Sequence, residues 1–130
     1  MKYTALSVKQ PHAGLIATGR KHIETRVWST KYRGDLLIVS SLGIDRAACE
    51  RLSIVRRGHT MKLGKALCIA ELVDCRAMTK DDEVAACCEL YDGTFAWVLE
   101  NIRPVEPFGV KGKLRLYKVE CEELIFKKRS

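Results

Sequence analysis

The run GKALCIAELVDCRAM, residues 64–78, is the longest strand candidate in the chain, and a carboxylate stands in its middle. Alternate side chains of a strand share a face, so Glu71 lies with Ile69 and Val73. A charge set between two apolar neighbours meets a cation or has a raised pKa, unless it looks out from the solvent side of an open sheet. The fold has to answer that carboxylate in one of these ways.

Other segments read as further strands. Residues 3–8, YTALSV, form a first one, ended by Gln10-Pro11 because proline has no N–H for the ladder. Pro11 suits the first turn of a short helix, HAGLIATG, closed by Gly19. His22 to Trp28 alternates, with Ile23, Thr25 and Val27 on one side and His22, Glu24, Arg26 and Trp28 on the other. A turn at Tyr32-Arg33-Gly34 leads into DLLIVSS, and Asp45 then N-caps a helix running to Arg56-Arg57 and stopped by Gly58. Asp81 caps a short helix through Val84 to Cys88. FAWVLENIRPVE gives a strand interrupted at Pro104, and GKLRLYKVE gives the last strand before the basic KKRS. Five or six strands with two or three helices predict a mixed α+β domain around a small β-barrel.

A chain of 130 residues suits one domain, residues 1–130, and can bury about two-thirds of its unfolded surface. The 23 Lys and Arg against 16 Asp and Glu leave a net charge of +7, which makes a polyanion the first partner to consider. Lys9, Gln10, Pro11 and His12 break any apolar leader, and no apolar run approaches the roughly 20 residues that span a bilayer, so a cytoplasmic protein with no membrane partner is expected. The six cysteines form no CxxC pair and no zinc-finger spacing. Reduced thiols and no metal are expected, with Cys68 and Cys121 in apolar strands and Cys87 and Cys88 in a helix.

Three groups of residues carry chemistry. Glu24 and Arg26, two apart on one strand, leave the same face about 6.6 Å apart and converge with Lys21 either on a ligand or on each other as a surface ion pair. Lys21 and Arg26 are also the cations to place beside Glu71. Lys9-Gln10-Pro11-His12 forms a turn before a helix, which is either an ordinary surface turn or a place for an anion. Trp28, Tyr32 and Arg33 set aromatic faces beside cations, the arrangement on which unpaired bases stack, whereas Trp97, between Phe95 and Leu99, belongs to the core. No GxGxxG, P-loop, GxSxG or HExxH motif occurs, so nucleotide cofactors, serine hydrolases and zinc proteases have no positive support, and no cofactor is expected.

The segments LSVKQPHAGLIATGRKHIETR, YRGDLLIVSS, GKALCIAEL and FAWVLENIRPVEPFGVKGKLRLYKV, in that order, resemble an ASCH domain of the PUA-like superfamily. The most specific part is GxKxxExR, here Gly19, Lys21, Glu24 and Arg26, supported by Gln10-Pro11 and by the segment from Trp97 to Pro104. The resemblance implies a small β-barrel whose cleft, lined by that motif, binds RNA, single-stranded nucleic acid or a modified nucleoside. Lys9, Gln10, Pro11, His12, Lys21, Glu24, Arg26, Trp28, Tyr32 and Ser40 are the ligand-binding residues it implies. The second implication is a metal-free hydrolase, acting on N4-acetylcytidine or on RNA. In the amidohydrolase members a lysine, a threonine three residues later and a glutamate on a later strand form the catalytic set. Lys21 and Glu71 match two of these positions and Glu24 stands at the third, so an enzyme would use Lys21, Glu24 and Glu71. His12 stands where many members have an aromatic residue.

Overall fold

The computed structural model describes residues 1–54 and 61–128; the helix expected after Asp45 ends already at Arg51, with Leu52 as its C-cap and Ser53 at φ 54°, and the expected stop at Arg56-Arg57-Gly58 lies outside the described residues. Among them the order is β1 (Lys2–Gln10), α1 (His12–Ala17), β2 (Ile23–Arg26), β3 (Gly34–Ile44), α2 (Arg46–Arg51), β4 (Lys65–Ala77), α3 (Glu83–Ala86), β5 (Phe95–Gly109) and β6 (Leu116–Glu120). The strands form one sheet in the order β2-β5-β4-β3-β1-β6. β1 and β3 run parallel and the other neighbours antiparallel.

Core packing explains why the central strands sit where they do. In β3 the consecutive residues Leu36 to Ser40 are all buried, because the sheet is covered on both faces. On one face Leu6, Val8, Leu36, Ile38, Ala70, Leu72, Trp97 and Leu99 pack with Ala13 and Ile16 of α1. On the other, Ala5, Leu37, Val39, Ile69, Val105 and Tyr117 form a second cluster. Burying each large apolar side chain contributes about 1.5–3 kcal/mol. Trp97 is fully buried, as expected, and meets Trp28 edge-on at 4.7 Å between ring centroids. Such an aromatic pair adds about 0.5–1.5 kcal/mol to the burial.

The expected barrel does not close. Both edges of β1 are taken, by β3 and by β6, so β2 at the far end of the sheet has no strand edge of β1 to pair with. β2 is only four residues long, and its ladder is confined to β5. A side chain crosses the gap instead. β6 covers β1 only as far as Leu6, and the next carbonyl, Ser7, accepts a hydrogen bond of 2.7 Å from Arg26 Nη2 on β2.

Three local expectations change. β5 continues through Pro104, because register shifts bend its ladder with β4 and the proline keeps a carbonyl that accepts from Lys127 N at 3.0 Å. Thr79, not Asp81, is the N-cap of the helical turn there, and Asp82 closes the capping box: its carboxylate accepts from Thr79 N at 2.8 Å and binds Arg76 through both oxygens. Cys87 and Cys88 fall past the end of α3, with Cys87 in the left-handed conformation at φ 54°. All six cysteines are free thiols, and burial pushes the Cys68 thiol up to about 12. No described helix is long and apolar enough to cross a membrane.

Candidate nucleic-acid cleft

Where β6 stops short, the ends of β1 and β3, the edge strand β2 and residues 110–115 enclose an open cleft of about 1350 Å³. The 110–115 loop comes close to β1: a Cβ on Gly112 would stand 2.9 Å from Ser7 Oγ.

The floor of the cleft is a charged triad. Strand parity sends Glu24 and Arg26 to the same side, where Arg26 donates to Glu24 Oε2 from Nη2 at 2.9 Å and from Nε at 3.2 Å. Lys21, in the turn before β2, lies behind them with its Nζ 3.6 Å from Glu24 Oε1. That ammonium also donates to Ala86 O at the end of α3. Lys21 is 1% exposed and Glu24 6%, so this is a buried network and not a surface pair. Burial works against the Glu24 carboxylate, but the cations Lys21 and Arg26, with His12 beside them, outweigh it and hold the group below the usual carboxylate range.

A second pair stands at the head of α1. His12 Nε2 lies 2.9 Å from Asp45 Oδ2, across 33 residues of sequence. The other oxygen of Asp45 accepts from Ala48 N and caps α2, while its own N–H donates to Gln10 O at 2.6 Å. The hydrogen bond from His12 and that from Ala48 together overcome the effect of burial and lower the Asp45 pKa.

Six of the ten residues expected at the ligand site line the cleft: Lys9, His12, Glu24, Arg26, Trp28 and Ser40. Lys21 lies just beneath. Gln10, Pro11 and Tyr32 do not line it. Gln10 is buried and holds the turn together, its amide donating to Lys62 O and accepting from Gly14 N, which also occupies an N–H at the start of α1. Pro11 is buried as the N-cap residue of α1, and Tyr32 turns its hydroxyl to Asp35 O at 2.6 Å.

Glu71 is not brought to Lys21. It pairs in register with Asp35 and Glu100 and is half-buried on the Ile69 face of the sheet, whereas Glu24, opposite Trp97, belongs to the other face. The cations assigned to Glu71 are the ones that hold Glu24.

The sequence reading missed the rim. Arg51, Lys111, Lys113 and Arg115 line the cleft along with Lys9 and Arg26, so that six Lys and Arg face three carboxylates, Glu24, Asp45 and Glu89. Arg115 lies over the Trp28 ring at 4.5 Å. The alternation of Lys111, Lys113 and Arg115 with Gly112 and Leu114 was the available signal, hidden because GKLRLYKVE reads as one strand while β6 begins only at Leu116.

A model of the ASCH domain matches residues 6–109. No curated protein matches the chain. Among solved structures, ASCH from Zymomonas mobilis has a TM-score of 0.59 at 12% identity, covering 90% of this chain and 87% of that one. A mutant of the same protein gives 0.58, with 90% and 89% covered at 12% identity. At that identity the likeness is one of fold.

Proposed function

This chain belongs to the ASCH domain family, and on that premise we propose that its cleft holds RNA, or a modified nucleotide, without cleaving it. The observation that carries the reading is the buried Glu24, kept ionised between Lys21 and Arg26 on the floor of a cleft whose lining has twice as many cations as carboxylates. Phosphates suit the rim, where Lys9, Lys111 and Lys113 are exposed. Bases suit the wall made by Trp28 and Tyr91, since aromatic faces stack any base.

The surroundings of Lys21 favour holding over cutting. A base or nucleophile needs a free amine that can reach the substrate, but Lys21 is buried and its Nζ is engaged by the Ala86 carbonyl and the Glu24 carboxylate. Short single-stranded RNA is expected to bind at low salt and to lose about tenfold or more in affinity between about 50 and 200 mM salt. If RNA, single-stranded DNA and free nucleotides all fail to bind at the lower salt, the reading is wrong.

A further inference from the structure

A single exposed leucine is ordinary on a protein surface, but the mouth of this cleft gathers several apolar side chains. Val27 after β2, Leu42 on β3, Tyr91 before β5 and Leu114 in the 110–115 loop are 66%, 79%, 45% and 91% exposed, and all four line the cleft. They come from separate stretches of chain and stand among the cations Lys9, Lys111, Lys113 and Arg115.

Leu114 is the most exposed of them, and the backbone holds it there. Strand parity would set it on the face of Leu116, which packs against the core. Arg115 breaks that parity by taking the left-handed conformation at φ 59°, which is uncommon for a residue with a Cβ. The loop itself is fastened at several points. Val110 N donates to Gly64 O at 3.0 Å, and its side chain packs on the second apolar cluster. Gly112 lies against Ser7, and the Arg115 guanidinium sits over Trp28 at 4.5 Å. An apolar side chain is thus presented to solvent between two cations, on a loop whose position is already set by other contacts.

We propose that Leu114 is a wedge for unpaired bases, packing on a base face while Lys113 and Arg115 meet the neighbouring phosphates. The occupant follows from charge complementarity. An apolar protein segment would leave the six Lys and Arg of the lining unmatched, whereas a single strand supplies an anion and an apolar face at every nucleotide. A duplex offers its phosphates, but its base faces are stacked inside. The inference rests on the cleft being a nucleic-acid site and adds what that site selects: single strands over duplexes.

The probe is a short fluorescently labelled RNA, alone or annealed to its complement, followed by anisotropy between about 50 and 200 mM salt. The wild-type protein is expected to bind the single strand roughly tenfold more tightly than the duplex. Leu114→Ser is expected to weaken single-strand binding roughly fivefold to tenfold at every salt concentration, since the contact it removes is apolar and releases no counterions. Duplex affinity, salt slope and melting temperature are expected to stay as in the wild type. Leu114→Phe, which offers a ring to stack, is expected to keep or raise the affinity. Equal binding of the two RNA forms by the wild type, wild-type affinity in Leu114→Ser, or an equal loss on single strand and duplex would each overturn the wedge while leaving the cleft reading intact. Phosphatidylserine vesicles that bind the wild type but not Leu114→Ser, with RNA affinity the same in both, would make the loop a membrane contact instead. Failure of either RNA form to bind at the lower salt would overturn both readings.

Discussion

Glu24 shows how one side chain sets the character of its surroundings. Its carboxylate is shared by two cations, so removing its charge strands Lys21 in a buried position with only a carbonyl for company. Breaking a buried pair from one side costs about 3–5 kcal/mol, so Glu24→Gln is expected to lower stability by that order in urea unfolding, and Lys21→Met/Glu24→Gln together by less. Asp82 gives the acid limit. Its carboxyl is held at about 2, chiefly by the hydrogen bonds from Arg76, against an ordinary value near 3.9. A depressed folded-state pKa stabilises above the unfolded value, and the contribution disappears as pH falls from about 4 toward 2. Asp82→Asn is therefore expected to flatten the acid limb of a thermal-stability profile over that window. Parity along one strand was enough to pair Glu24 with Arg26 from sequence. The His12–Asp45 pair was not legible, because it joins two turns whose meeting depends on β1 and β3 being neighbours.

At the scale of elements, most strands could be read from apolar runs and turn residues, but how they closed could not. Glu71 illustrates the difference: its face was assigned correctly beside Ile69, yet its partners depended on sheet order, and the order put acidic residues opposite it. The β5–β6 loop is the element that turns a sheet edge into a cleft. Gly112→Ala would drive a methyl to 2.9 Å from Ser7 Oγ, whose hydroxyl is already bonded to Tyr117 at 2.7 Å. Such overpacking typically costs about 1–3 kcal/mol. Ser7→Ala is expected to relieve most of that loss when combined with Gly112→Ala, and a double-mutant cycle by thermal melting would reveal the coupling; additive effects would show that the loop does not bear on Ser7.

For the whole molecule, part of the net charge of +7 acquires a location. Several Lys and Arg are matched by carboxylates elsewhere, as in the pairs Arg76–Asp82 and Arg103–Asp35, while the cleft rim carries an excess. Replacing Lys111 and Lys113 by Gln is expected to reduce the slope of log affinity against log salt by about 1.4 for single-stranded RNA, with little change in melting temperature, since each phosphate contact contributes about 0.7. An unchanged slope would place the phosphates elsewhere.

The gap between β1 and β2 is spanned by a guanidinium and not by a ladder. A ladder opens only when several backbone bonds break together, whereas this closure rests on side-chain contacts, and the Arg26 hydrogen bond among them faces the cleft. Arg26, already bonded to Glu24, also holds the Ser7 carbonyl across the gap and lies where an entering anion would meet it. If the proposed ligand brings a phosphate to Arg26, it would compete with the Ser7 carbonyl and so couple the rigidity of this domain to the occupancy of its cleft.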